Sequence, residues 1–373
     1  MCHFPRAPGH AAKRKALTMG EILGIGLSHY PGLAATDADM ASPLRGRLRD
    51  PGVPDGVKDP ATWPELMQVE WGDDHGAAGA AVHREALVAG FDQCRAAIDD
   101  FNPDVVVIWG DDQYENFQED VIPPFSILAY PDTVMKPWSH LAHSSAMSGR
   151  ANAWGETEET EITIKGSPDV ARWLTGKLLN QGIDVAYAYQ PLHHPNLAHA
   201  FLNTVLFLDY HRRGFPYPVI AFPVNAYGKR VVCQRGFSLP WGEEVEFDPP
   251  SSPPWRFMQV GAAVVRAFKE SDLRVALIAS ASWSHAFMVD KTYRMQPDIE
   301  SDRVLYQALL NGDYDVWRNR TLDDMDASGQ QELLNWCTLV GAMEELGRSS
   351  PDWSTMVDSY AFNSPKVFAV WNA

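Results

Sequence analysis

Ile22-Leu23-Gly24-Ile25-Gly26-Leu27-Ser28-His29-Tyr30-Pro31-Gly32-Leu33 is the stretch on which the fold turns. It is a short apolar run that ends in Ser and His and is then broken by Pro-Gly. That is the pattern of a buried strand whose C-terminal end faces a cleft. Ligands of open α/β sheets gather at such strand ends. An imidazole carried there is held on a rigid edge, as a metal site requires. His29 is therefore a candidate metal ligand. The competing reading is a hydrogen-bonded loop histidine, and this stretch by itself favours it.

Working outward, the same pattern returns. An apolar run at 105–109 leads into Gly110-Asp111-Asp112-Gln113, and a run at 184–189 leads into Pro191-Leu192-His193-His194-Pro195. A run at 274–280 leads into Ser282-Trp283-Ser284-His285, and residues 122–129 and 217–224 read as further strands. Three- and four-residue apolar spacing predicts helices over 77–98, 170–179, 197–208 and 255–269, with two or three more closing the chain. Strands alternating with helices indicate an α/β fold with a mixed central sheet flanked by helices. Residues 34–62 and 131–166 show no period and read as irregular excursions. There is no internal repeat and no linker, so a single catalytic domain is expected over 21–373, with 1–20 a disordered tail. Four strand ends bearing His29, Asp111 to Gln113, His193-His194 and His285 favour one shared site.

Composition narrows the function. A net charge of −17 over 373 residues argues against nucleic acid or an anionic membrane as partner. No run approaches the roughly 18 apolar residues of a membrane span, and the N-terminal segment lacks the apolar core of a secretory signal. Cys2, Cys94, Cys233 and Cys337 stand far apart, which fits reduced thiols in a cytoplasmic protein and not a zinc ribbon or a disulfide frame. Thirteen Trp and twelve Tyr suggest an aromatic-lined cleft, although a large core also accounts for them.

A non-haem iron(II) centre uses two imidazoles and one carboxylate on one face and keeps positions open. His29 offers one imidazole. Glu300, in Pro297-Asp298-Ile299-Glu300-Ser301-Asp302-Arg303, offers a carboxylate, although a first-turn Glu is also a routine partner of the helix dipole. A histidine off the metal could move protons to substrate. His193, His194 and His199 are the contenders, His199 reading more simply as a core histidine. His140 and His143 either cover the site or are solvated.

These residues resemble a known family, the class III extradiol ring-cleavage dioxygenases, of the catalytic-subunit type found in protocatechuate 4,5-dioxygenase. Gly26-Leu27-Ser28-His29-Tyr30-Pro31 is similar to its first iron-ligand motif, and Pro103 to Asp112 resembles its second strand motif. Tyr217 to Asn225, Arg274 to Ser280 and Ser284-His285 are similar to later strands. Glu300-Ser301-Asp302-Arg303 resembles the segment bearing the glutamate ligand, and Gly329 to Trp336 with Gly341-Ala342 resembles the closing helix. The resemblance runs from about residue 22 to the C-terminus.

It implies iron(II)-dependent, extradiol cleavage of a catechol-like aromatic with O₂, in aromatic catabolism, by a cytoplasmic homodimer that a helical subunit could accompany. His29 and Glu300 take iron-ligand roles, and His194 the acid/base role with His193 or His199 as alternatives; His285 is a further catalytic candidate. The family's second imidazole ligand falls at Gln113. That leaves three readings: Gln113 is a weak ligand, another residue (Asp111, Asp112, His75 or His143) replaces it, or the metal is lost and the chain supports an active partner. A zinc-dependent hydrolase on the same scaffold is the other enzymatic alternative.

Overall fold

The run at 22–27 forms β1 (Glu21–Leu27), in which every residue after Glu21 is buried. A strand buried on both faces needs a neighbour on each edge. β1 has the parallel strand β8 on one side and the antiparallel strand β10 on the other. The computed structural model describes residues 20–141, 149–195, 197–235 and 245–373, so His143 and all but the last residue of the tail expected over 1–20 lie outside the described residues.

The strands in chain order are β1, β2 (Val105–Asp111), β3 (Ser126–Leu128), β4 (Thr133–Met135), β5 (Ile162–Ile164), β6 (Ala186–Ala188), β7 (Val219–Val224), β8 (Arg274–Ser280), β9 (Trp353–Val357) and β10 (Lys366–Trp371). Eight of them make one mixed sheet in the order β6-β3-β7-β2-β8-β1-β10-β9, while β4 and β5 pair separately. Side chains alternate across the pleat. Val105, Val107 and Trp109 of β2 join one core with the helices Pro254–Lys269 and Leu333–Glu345. Val106 and Ile108 join the other with Ala77–Phe101 and His199–Leu208. Among the described residues no helix is long and apolar enough to cross a membrane.

The register positions the site. Leu27 pairs with Ser280, Trp109 with Ala279 and Asp111 with Val224 across four parallel strands. The C-terminal ends of β1, β2, β7 and β8 therefore share one edge, and the chain beyond each carries chemistry to it. β6 does not belong to that edge. It is parallel to β3, which is antiparallel to β7, so β6 runs the other way and its C-terminal end lies at the opposite end of the sheet.

Several local expectations need correction. Residues 34–62 contain the short helices Asp37–Met40, Ser42–Leu48 and Asp55–Lys58. The strand expected at 122–129 shrinks to Ser126–Leu128, since Pro123 and Pro124 cannot donate to a ladder. The chain closes not on helices but on β9 and β10, which cap the sheet beyond β1.

The Pro254–Lys269 and Leu333–Glu345 helices approach backbone to backbone. A Cβ added at Gly341 would lie 2.2 Å from the Met258 carbonyl oxygen, and one at Gly261 would lie 1.8 Å from that of Thr338. Gly341→Ala is therefore expected to destabilise the fold by about 1–3 kcal/mol, measured as a lower denaturation midpoint without a change in slope.

Candidate active site

His29 stands two residues beyond β1 and is 1% exposed. Its Nδ1 lies 3.1 Å from Ser280 Oγ, and Thr204 Oγ1 donates to that hydroxyl at 2.6 Å. Asn203 Nδ2 donates to the His29 carbonyl. With Nδ1 so held, Nε2 faces the acids: it is 3.6 Å from Asp111 Oδ1 and 3.5 Å from Glu332 Oε2. Two ligands each about 2.1 Å from a tetrahedral cation are about 3.4 Å apart, so these separations match a shared coordination sphere better than a hydrogen bond.

Glu332 immediately precedes the Leu333–Glu345 helix and is 1% exposed. Its Oε1 accepts from Tyr227 Oη at 2.7 Å and Gln113 Nε2 at 3.2 Å, and His285 Nε2 is 3.2 Å away. Its Oε2 is buried with no hydrogen-bond partner. A buried carboxylate oxygen left bare is costly, and a divalent cation beside His29 would satisfy it. Asp111 accepts from Asn335 Nδ2 at 3.0 Å and from Gln113 Nε2 at 2.9 Å. One ligand atom each of His29, Asp111 and His199 lies within 4.8 Å of the other two. The donor set, imidazole nitrogen with carboxylate oxygen, fits a borderline divalent metal.

The electrostatics agree. Burial lowers the pKa of His29 below the usual imidazole range, against the pull of Asp111 and Glu332. Burial, with Glu332 added, raises that of Asp111. Burial would also protonate Glu332, yet His285, His29 and the Tyr227 hydroxyl hold it at about 2. Burial disfavours a charged His285, but Glu332 outweighs it and raises its pKa. Burial disfavours a charged His199 too, but Glu115, Asp111 and Glu332 raise its pKa to about 10.

His285 follows β8 in a loop fastened by Asp302. That buried carboxylate accepts from the Ser284 backbone and hydroxyl and, at 2.7 Å, from Gln330 Nε2. One aspartate thus ties the residue before His285 to the segment that carries Glu332. His29, His199, Gln113, His285 and Glu332 open into one cavity of about 460 Å³. Its outer wall is apolar, with Met40, Leu44, Phe287 and Met295, and also carries Arg47 and Arg294. The wall at Tyr360 and Ala361 is held by Glu70 Oε2, which accepts both backbone N–H groups at 2.9 and 2.8 Å.

The structure gathers His29, Asp111, Gln113, His199 and His285 from the expected set and places Glu300, His193, His194, Asp112 and His75 outside the cavity lining. Glu300 is exposed on its helix and paired with Arg303 Nη1 at 2.7 Å, outside the cavity lining. It sits in the first turn, where the helix dipole accounts for it. Glu300→Ala is accordingly expected to leave bound metal and stability within about 0.5 kcal/mol of the parent, read by elemental analysis and thermal unfolding. His193 contacts Asp120 at 2.7 Å, in the loop between β2 and β3, and neither it nor the buried His194 lines the cavity. Asp112 folds the turn after β2, accepting the backbone N–H groups of Glu115, Asn116 and Phe117. His75 packs on Trp71.

Glu332, Tyr227, Asp302 and Glu115 were not singled out in the sequence. The available signal was Gln330-Gln331-Glu332, three polar residues heading a helix whose first eleven residues are all buried.

The family model described as the catalytic LigB subunit of aromatic ring-opening dioxygenase matches residues 249–362, the part that carries β8, His285 and Glu332. The chain is 22% identical over 311 residues to a 2,3-dihydroxyphenylpropionate/2,3-dihydroxicinnamic acid 1,2-dioxygenase of Rhodococcus globerulus, covering 71% of this chain and 83% of that protein. To a protein of the same name from Rhodococcus jostii (strain RHA1) it is 24% identical over 301 residues, covering 73% and 80%. The crystal structure of an uncharacterized Escherichia coli K12 protein is similar at TM-score 0.43 and 12% identity, covering 76% of this chain and 92% of that one.

Proposed function

We infer that the chain is a member of the class III extradiol ring-cleavage dioxygenases and propose that it opens the ring of a catechol-like compound with O₂, with iron(II) as its metal. The observation that carries this reading is the bare, buried Glu332 Oε2 facing His29 Nε2 at 3.5 Å in a cavity that also holds a histidine off that pair. His29, Asp111 and Glu332 would hold the cation. When bound, it supplies Lewis acidity toward the diol and a redox centre for O₂.

The remaining chemistry belongs to the chain. The apolar wall of Met40, Leu44 and Phe287 takes the ring and excludes water. His285, whose Nε2–H donates to Glu332 Oε1, accepts a proton from a ring hydroxyl at its free Nδ1 as the diol binds and returns it as the ring opens. Tyr227 and Gln113 hold Glu332 in place through its other face, so its Oε2 stays directed at His29.

The test is oxygen uptake by protein loaded anaerobically with iron(II) and mixed with a panel of catechols. One equivalent of O₂ consumed per ring-opened product supports the reading. Binding of catechols with no oxygen uptake in any metal form would sink it.

A further inference from the structure

We propose that His199 is a ligand of the cation and that Glu115 positions it, the pair together replacing the imidazole that Gln113 does not supply. The inference rests on the metal-dependent reading above and adds a residue to its site.

Gln113 lies at the cavity but presents its donor end. Its Nε2 reaches Asp111 Oδ2 at 2.9 Å, Tyr227 Oη at 2.8 Å and Glu332 Oε1 at 3.2 Å. Three acceptors around one amide nitrogen fix the orientation of that amide. Turning its oxygen to a metal would forfeit all three contacts. Gln113 therefore braces the two acids and leaves a coordination place to another residue.

His199 is placed to take it. It starts the His199–Leu208 helix, and its ring meets the His29 ring edge-on with centroids 5.1 Å apart. The ligand atoms of His29, Asp111 and His199 all fall within 4.8 Å of one another, near the roughly 4.2 Å that separates opposite ligands on one six-coordinate ion. Its placement comes from the turn that follows β2. Asp112 folds that turn through backbone N–H groups, Asn116 Oδ1 accepts from the Ala198 N–H at 2.9 Å, and Glu115 Oε1 accepts from the His199 N–H at 3.0 Å.

Glu115 Oε2 then takes His199 Nδ1 at 2.7 Å. A carboxylate on one ring nitrogen fixes the tautomer and leaves the other nitrogen to the metal, the usual support of a ligating histidine. The same six residues, Asp111 to Asn116, thus lack an imidazole and supply the clamp that brings one in from another helix.

The probe is Co²⁺, titrated into the metal-free full chain and followed by calorimetry and by its visible absorption. His199→Ala is expected to weaken Co²⁺ binding at least about 100-fold and to change the absorption, with partial recovery on adding free imidazole. Glu115→Gln is expected to weaken it about 10–100-fold, with the thermal stability of both metal-free variants checked against the parent. Should His199→Ala fail to fold, His199→Gln and Glu115→Gln carry the comparison. Parent-like affinity and spectrum in folded variants that have lost turnover would overturn the proposal and make His199 a proton-transfer residue. A parent chain that binds no Co²⁺, iron(II) or zinc would instead overturn the metal-dependent function itself, and this proposal with it.

Discussion

Glu332→Gln is expected to empty the site of metal and abolish ring cleavage. The substitution keeps the size of the side chain and can still accept from Tyr227, so it isolates the charge. Glu332 is the carboxylate held fully ionised, at about 2, by His285, His29 and Tyr227 despite its burial. Its Oε2 has no hydrogen-bond partner among the described residues. Altering the outer-shell partners of a metal ligand typically costs 10–100-fold in affinity. Loss of the ligand itself is expected to cost more than about 100-fold, read as iron content after desalting and as turnover under excess iron(II). A variant that retains stoichiometric iron would place the metal elsewhere. The same change removes a buried negative charge beside two histidines, so His285 should lose the support that raises its pKa.

His285→Gln is expected to weaken metal binding by no more than about 10–100-fold and, with metal in saturating excess, to lower kcat by about 10²–10⁴, the range of a single general acid–base group. His285 touches Glu332 Oε1 and not the face of Glu332 turned to His29, which is why the effects on metal and on turnover should separate. The pH profile adds a direction. A base must be neutral, so activity falls as pH drops through the pKa of His285. In the parent that fall is the acid limb of kcat; in the variant it should vanish, leaving a low, flat profile. A variant with the parent's acid limb would assign the proton transfer to another group.

Much of the fold was legible because its central strands are buried on both faces. β1, β2, β7 and β8 are near-continuous apolar runs, and each was read within about two residues at either end. Their shared edge followed from that, and so did His29 and His285. What the pattern could not carry was direction. The pairing of β3 with β7 is antiparallel, and nothing in residues 122–129 or 217–224 signals it. The end of β6 therefore does not open on the site, and of the histidines beyond it His199 lines the cavity while His193 and His194 do not.

The two candidate carboxylates look alike in sequence for a different reason. Glu300 and Glu332 both stand at helix starts, where an acidic residue has an ordinary explanation. Only burial separates them: Glu300 is exposed and Glu332 is enclosed by Tyr227, Gln113 and His285. The segment around Glu300 does serve the site, through Asp302 two residues on, by a network of buried hydrogen bonds that no spacing rule reveals. Gln113 follows β2 and lines the cavity, and its chemistry depends on which end of the amide faces inward.

Anomalous scattering at the iron edge from crystals grown under anaerobic conditions with iron(II) tests the central claim most directly. A single peak about 2.0–2.2 Å from both His29 Nε2 and Glu332 Oε2 is the predicted result. A peak at Glu300 or another surface carboxylate, or no peak near His29 with iron(II) in excess, would contradict it.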